Sequence, residues 1–255
     1  MKLIIALFTA LVLTGCIETP SKNAATSALP PSQLIVVTQS APPHPELQWF
    51  RTSAERRAVY EQTYRAAASA ASTASAGLQL DSWAVVLDVD ETVLDNSEYQ
   101  VRRVVSGQGY SDDTWNAWVH DQQAVALAGA KKFIDTVKDE LHGQVVLVTN
   151  RSVTVCSDTE NNLRAQQIRF DQILCAPVDS NGKTLGDKNP RFKQVQLGDP
   201  ARNIRPLKVI LYVGDNIQDF PGLTQGNPGD YSRFGVDFFV LPNPVYGSWE
   251  KNIYR

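Results

Sequence analysis

From residue 83 to the end of the chain, short apolar runs alternate with longer amphipathic stretches. Five runs are rich in Val, Ile and Leu and apolar on both faces, which is typical of buried parallel strands; they span residues 83–88, 144–149, 172–175, 208–213 and 236–241. Helical patterns lie between them, notably at 128–141 and 154–167. This alternation predicts an α/β fold with a doubly wound parallel sheet.

Two segments stand outside the alternation. Residues 46–75 are helix formers throughout, with an apolar face predicted from Trp49, Ala54, Val59 and Tyr60 and a terminator at Gly77. Residues 96–127 contain several aromatic side chains but no strong strand pattern. We therefore expect them to form a small, mostly helical cap, inserted after the first core strand of a domain that spans residues 46–255.

The first 45 residues are predicted to lie outside this domain. After Lys2, residues 3–13 are almost wholly apolar but too few to span a bilayer, so residues 1–15 are interpreted as a signal peptide. They run into Leu13-Thr14-Gly15-Cys16, which resembles a bacterial lipobox. The prediction is that Cys16 is lipidated and that residues 16–45, rich in Ser, Thr, Ala and Pro, form a tether. The alternative is an ordinary export signal with a chance cysteine.

Composition narrows the range of functions. The 255 residues are 43% apolar and 20% charged, with a net charge of −3, as in an ordinary globular protein. This charge gives no electrostatic basis for gripping a nucleic acid polymer. Cys156 and Cys175 fall in neighbouring predicted elements, so a disulfide and two buried free thiols remain equal alternatives.

Polar side chains follow three of the predicted strands. Asp88 and Asp90 end the first, Thr149 ends the second, and Asp215 and Asp219 follow the fourth. The carboxyl ends of parallel strands form the binding crevice of such sheets, so we expect these residues to converge. Gathered carboxylates need a compensating cation or proton, and hard oxygen ligands favour Mg²⁺.

Such a site is suited to phosphoryl transfer. A carboxylate beside a bound phosphoryl group can attack it to give an acyl phosphate, while a second carboxyl donates a proton to the leaving group. A lysine would offset the charge on the transferring group. An isolated Asp-x-Asp is more often a loop or capping motif, but here a second acidic cluster accompanies it.

The segments DVDETVLD, VLVTNR and GDNIQDF resemble motifs one, two and four of the haloacid dehalogenase-like phosphatases. The lipobox, RTSAERRAVYEQTY, DETVLDNSEY and LPNPVYGSWE narrow the resemblance to the bacterial class C acid phosphatases, the lipoprotein acid phosphatase and 5′-nucleotidase group. The resemblance covers nearly everything from Trp49 to Glu250. It implies a magnesium-dependent acid phosphatase that works through a phosphoaspartate intermediate.

The resemblance also implies roles for individual residues. Asp88 would be the nucleophile and a magnesium ligand, and Asp90 the acid/base with its backbone carbonyl on the metal. Asp215 would be the remaining protein ligand, with Asp219 behind it. Thr149 and Asn150 would bind the phosphoryl oxygens.

The third motif of the family requires one lysine, and three are available. Lys188 is preferred over Lys183 and Lys193 because the Lys-x-Pro-Arg spacing up to Arg191 best resembles the family's segment. The other two are interpreted as solvated charges.

The resemblance further implies that aromatic residues at the entrance select the substrate. Tyr99 and Tyr246 are the candidates for stacking on the base of a 5′-nucleotide or on an aryl phosphate, and Trp249 is expected to be packing. Lipidation at Cys16 would anchor the enzyme in the cell envelope, with the outer membrane of a Gram-negative bacterium preferred. The rival hypothesis is a non-catalytic surface lipoprotein that binds a nucleotide or haem on the same scaffold.

Overall fold

The computed structural model describes residues 44–200 and 204–253. The predicted signal peptide, the predicted lipidation site Cys16 and the tether up to residue 43 lie outside the described residues. Within the described part, no helix is long and apolar enough to cross a membrane.

A five-stranded sheet forms the centre of the fold. Its strands are β1 (Trp83–Leu87), β4 (Gln144–Ser152), β5 (Gln172–Ala176), β6 (Lys208–Gly214) and β7 (Phe238–Val240), and all pairings are parallel. The spatial order is β5-β4-β1-β6-β7. The chain builds outward from β1 on one side and then returns to build the other, so the switch point lies between β1 and β6.

Side chains of alternate strand residues enter two separate cores, because successive residues of a strand point to opposite faces. Val85 and Leu87 pack on one face, against α2 (Ala54–Ser75), α5 (Ala130–Asp135) and α6 (Cys156–Ala165). Ala84 and Val86 pack on the other face, where α7 (Asn189–Leu197) contributes Phe192. Helices on both faces confirm the predicted α/β class with a doubly wound parallel sheet.

The N-terminal helical segment is two helices, and one part of its predicted pattern is wrong. A short helix, α1 (Pro45–Thr52), ends where the Ser53 hydroxyl caps the start of α2 by accepting from the Arg56 amide at 3.0 Å. Val59 and Ala54, assigned to the apolar face, are exposed. The buried stripe continues instead from Tyr60 through residues at helical spacing, namely Tyr64, Ala67 and Ala71.

The segment between β1 and α5 contains two helices, α3 (Ser97–Ser106) and α4 (Asp112–Asp121). A two-residue antiparallel pairing of β2 (Leu94–Asp95) with β3 (Val125–Ala126) joins its two ends. Because the segment leaves and returns at the carboxyl end of β1, its helices lie beside the strand ends that carry the acidic residues.

The helices between the strands differ from the predicted ones in their bounds and in their type. The predicted helix 128–141 divides into α5 and a π-helical turn, Thr136–Glu140. The predicted helix 154–167 begins with a 3₁₀ turn, Val153–Val155, before α6. Helix α7 was not predicted, since its nine residues begin with Asn-Pro and lack a clear apolar face.

A disulfide joins Cys156, the first residue of α6, to Cys175 near the end of β5, with a Cα–Cα distance of 6.0 Å. Of the two alternatives left open by the sequence, the structure therefore contains the bridge. It connects the segment after β4 with the strand that leads into the Lys188 loop.

Candidate active site

The candidate site lies at the carboxyl ends of β1 and β6, at the switch point of the sheet. Asp88 follows β1 directly, and its backbone amide donates to Val213 O on β6 at 3.0 Å. Asp215 follows β6 directly, and Asp219 lies in the 3₁₀ turn that comes next, Ile217–Asp219. Two neighbouring strands thus deliver acidic residues from distant parts of the chain to one place.

Three carboxylate oxygens, one each from Asp88, Asp215 and Asp219, lie within 4.8 Å of one another. Lys188 joins this group: its Nζ donates to Asp88 Oδ1 and, at 2.7 Å, to Asp219 Oδ1. The Lys188 side chain is almost completely buried, because its backbone lies at the start of α7 beneath the strand ends. We call these four residues the buried cluster.

The oxygens of Asp215 and the second oxygen of Asp219 have their own donors. Asp215 accepts from Asn243 Nδ2 at 2.8 Å and from Thr92 Oγ1 at 3.4 Å. The second oxygen of Asp219 accepts from the Asn216 amide at 2.8 Å. Since both oxygens of Asp219 are engaged in this way, its clearest role is to hold Lys188 beside Asp88.

Burial dominates the electrostatics of the cluster. Desolvation raises the pKa of Asp88 to about 7; the positive charge of Lys188 opposes this rise, while the charge of Asp219 adds to it. Desolvation, with repulsion from Asp219 and Asp88, also raises the pKa of Asp215. These carboxyl groups ionise readily only beside a compensating positive charge, and their converging hard oxygen atoms form a donor set that fits a divalent cation such as Mg²⁺. Asp88 and Asp215 would hold it.

Glycine at residue 214 makes room for this arrangement. A Cβ built on Gly214 would lie 2.3 Å from Cβ and 2.4 Å from Oδ2 of Asp219. The Asp219 side chain therefore folds back against the bare backbone at the end of β6.

Asp90 faces the same cavity but has different partners. Its Oδ1 accepts from Arg151 Nε at 2.9 Å and from Asn96 Nδ2 at 2.9 Å. Thr149 Oγ1 is 3.5 Å from Oδ2. Asp90 therefore belongs to a hydrogen-bond network distinct from the buried cluster, although only Val89 separates it from Asp88.

The predicted phosphate-binding pair, Thr149 and Asn150, divides between interior and cavity. Thr149 is fully buried and its hydroxyl accepts from the Arg151 amide at 3.1 Å, whereas Asn150 lines the cavity. Arg191 supports both residues by donating to Thr149 O and, at 2.7 Å, to Asn150 Oδ1. The lysines set aside by the sequence, Lys183 and Lys193, are exposed.

A cavity of about 530 Å³ opens above the carboxylates. Tyr99 and Tyr246 both line it, as do Trp115 and Tyr110 from the inserted segment. The Tyr99 ring packs edge-on against Trp115 at 5.1 Å, and the Tyr246 hydroxyl donates to the Glu91 carboxylate. Trp249 is 41% exposed; its indole lies over Gly247 and donates to Asn243 O at 3.2 Å.

Sequence reasoning missed several polar residues of the site that are buried. Each lies close to a motif residue to which the sequence analysis assigned the function instead. They are Glu91, Asn96, Arg151 and Arg191. A charged side chain within an apolar strand pattern is the signal that could have identified Arg151, because buried arginines require partners. Asn243 gave no comparable signal.

Residues 21–249 match the family described as HAD superfamily, subfamily IIIB (acid phosphatase). The chain belongs to this family.

The chain is also similar to two solved structures and to one curated protein. The class C acid phosphatase from Bacillus anthracis superposes with a TM-score of 0.66 at 29% identity, over 80% of this chain and 85% of that one. The same enzyme with tungstate bound gives a TM-score of 0.66 at 28% identity, with the same coverage. Acid phosphatase 1 of Solanum lycopersicum is 27% identical over 167 residues, which is 65% of this chain. The match spans 58% of the length of that curated relative.

Proposed function

We propose that this protein is a magnesium-dependent acid phosphatase that hydrolyses phosphomonoesters through a phosphoaspartate on Asp88. The observation that carries the proposal is the convergence of three carboxylates within 4.8 Å, two of them bonded to one buried lysine, at the floor of a cavity. Membership of the acid phosphatase family supports the same reaction.

The residues divide the reaction between them. Asp88 attacks phosphorus, and Lys188 fixes the orientation of its carboxylate while placing a positive charge beside the transferring group. Asp90 gives a proton to the leaving oxygen and later takes one from the attacking water. A divalent cation held by Asp88 and Asp215 would lower the repulsion between the substrate and the carboxylates.

Oxyanion binding in a relative agrees with this proposal. The Bacillus anthracis class C enzyme was solved with tungstate bound, and tungstate, like phosphate, is an oxyanion with oxygen atoms around a central atom. In this chain, Asn150 and Lys188 line the cavity where such an anion would meet Asp88.

Substrates with a flat aromatic group fit the cavity best. Tyr246, Tyr99, Tyr110 and Trp115 place several aromatic side chains above the carboxylates. Stacking on such side chains is tolerant of base identity, so 5′-nucleotides and aryl phosphates are the proposed substrate classes.

The decisive assay measures inorganic phosphate released from 4-nitrophenyl phosphate and from nucleoside 5′-phosphates between pH 4.5 and 8. We expect turnover with Mg²⁺, an acidic optimum and loss of activity on chelation. Binding of a nucleotide without any phosphate release would favour the non-catalytic lipoprotein instead.

The cellular location forms a separate proposal. We infer from the sequence around Cys16 that the mature protein is lipid-anchored in the cell envelope, on the outer membrane if the Ile17 that follows directs sorting. Metabolic labelling with a palmitate analogue tests it: Cys16→Ser should abolish labelling, and labelling that persists would refute the anchor.

A further inference from the structure

Arg151 is a buried cation that the phosphatase mechanism does not use directly. Its side chain is 0% exposed, and Nε donates to Asp90 Oδ1 at 2.9 Å. Its other nitrogens donate to Asn96 Oδ1 at 3.0 Å and to Thr159 Oγ1 at 3.4 Å. A guanidinium held on several sides in this way has little freedom, so its carboxylate partner is fixed in direction.

Asn96 is the second residue that orients the carboxylate of Asp90. Its Oδ1 receives hydrogen bonds from Arg151 Nη2 and, at 2.8 Å, from Trp118 Nε1. Both atoms are donors only, so the amide oxygen of Asn96 must face them and its Nδ2 must face the carboxylates. That Nδ2 donates to Asp90 Oδ1 at 2.9 Å.

The two oxygens of Asp90 therefore have unequal surroundings. Oδ1 has two short hydrogen bonds from obligate donors, which leave little room for a proton on that atom. Within the described part of the chain, Oδ2 has only the Thr149 hydroxyl, at 3.5 Å. We propose that Arg151 and Asn96 are positioning residues that present Oδ2 of Asp90 as the proton donor to the leaving-group oxygen. This inference rests on the phosphatase activity proposed above.

The inserted segment takes part in the same arrangement. Trp118, on α4, supplies a donor that orients Asn96, and the guanidinium carbon of Arg151 lies 5.6 Å from the ring centroid of Trp115, also on α4. One helix therefore supports both positioning residues while Trp115 lines the substrate cavity. The orientation of the proton donor is thus linked to the element that covers the substrate.

This geometry serves the formation of the phosphoaspartate and then its hydrolysis. An oxygen of Asp88 bonds to phosphorus, the bond from phosphorus to the substrate's ester oxygen breaks, and the proton on Asp90 Oδ2 passes to that oxygen. Water then attacks the phosphoaspartate and gives its proton back to Asp90, which releases Asp88 and inorganic phosphate.

The test uses the leaving group, because only a poor one needs the proton. We compare kcat/KM for a nucleoside 5′-phosphate, which releases an alkoxide, with kcat/KM for 4-nitrophenyl phosphate, which releases a stable phenolate. In Arg151→Gln we expect kcat/KM to fall about 100-fold for the nucleotide and less than about 10-fold for the aryl ester.

The two substrates are mixed in one tube, so the ratio of their rates does not depend on how much variant is folded. Arg151→Lys keeps the charge but loses the fork of donors, and we expect it to resemble Arg151→Gln. Trp118→Phe keeps an aromatic side chain, although a smaller one, and removes the donor to Asn96, so the ratio should shift in the same direction by about fivefold. Arg164→Gln, at a surface arginine, is the matched control and should leave the ratio unchanged.

An equal fall for both substrates in Arg151→Gln and Trp118→Phe, or no fall in either, would overturn the positioning role. Failure of the wild-type protein to release phosphate from either ester would instead remove the proposed function itself. The two failures are therefore distinguishable.

Discussion

Two clusters in which carboxylates gather around a basic side chain differ in their exposure to solvent. The buried cluster contains Asp88, Asp215, Asp219 and Lys188. A surface cluster on α5, the π-helical turn and the loop after α6 contains Asp135, Asp139, Lys131 and Arg169, joined by ion pairs of 2.6 to 2.7 Å. The same kinds of charged group meet in both.

Solvent makes the two clusters behave in opposite ways. In the surface cluster, the hydrogen bond from Arg169 lowers the pKa of Asp139, which favours the charged carboxylate. In the buried cluster, desolvation outweighs Lys188 and raises the pKa of Asp88. Arg169 and water compensate the charges of the surface cluster, whereas the carboxylates of the buried cluster rely on Lys188 and would rely on a bound cation.

The largest expected effect comes from removing the carboxylate oxygen of Asp88 that is proposed to attack phosphorus. Asp88→Asn keeps the size of the side chain but cannot form the phosphoaspartate, so kcat should fall by about four orders of magnitude or more. Steady-state turnover and the thermal midpoint are measured together. A folded variant that retains turnover would exclude the covalent mechanism.

Removing the positive charge of Lys188 from the buried cluster should have the next largest effect. Lys188→Met keeps most of the buried volume but leaves Asp88 and Asp219 without their shared donor. We expect kcat to fall about 1000-fold, with a higher KM, because the transferring group loses a fixed positive charge. Lys193→Met, at an exposed residue of α7, is the control. Equal kinetics for the two variants would contradict the assignment of Lys188.

Without a divalent metal ion, the stability of the fold should depend on pH in a defined direction. Between pH 3.8 and about pH 7, the metal-free folded protein keeps a proton on Asp88 that the unfolded chain releases. Asp88 therefore stabilises the fold fully below this window, and that stabilisation is lost as pH rises through it.

Mg²⁺ competes with this proton, so it should raise the thermal midpoint by several degrees at pH 7.5 and only slightly at pH 5. Differential scanning fluorimetry with and without chelator measures the difference. The gain should shrink in Asp88→Asn. A gain that is larger at pH 5 would reverse the sign argued here.

The smallest effect belongs to the surface cluster. Arg169→Gln removes the arginine from Asp135 and Asp139, yet exposed pairs contribute little and are screened by salt. We expect an unchanged kcat and a thermal midpoint lowered by at most a few degrees, less so in high salt. A large loss of activity would mean that the two clusters are coupled.

The sequence predicted the strands well because parallel strands buried on both faces are apolar throughout, as β1 and β6 are. It predicted the convergence of acidic residues for the related reason that parallel strands present their carboxyl ends together. The apolar face of α2 was misassigned at Val59 because the stripe depends on how the helix lies on the sheet. Arg151 and Asn96 were missed because their significance arises from hydrogen bonds between residues 55 positions apart.

Gly214 has a consequence for how this scaffold tolerates change. Any side chain added there would occupy the space of the Asp219 carboxylate, so even alanine would push Asp219 off Lys188 and leave that amine free to turn. The smallest mutation possible at this position should thus lower turnover without altering an atom that is proposed to react. Variant scanning should find position 214 intolerant of substitution, with an effect no larger than that of losing Lys188.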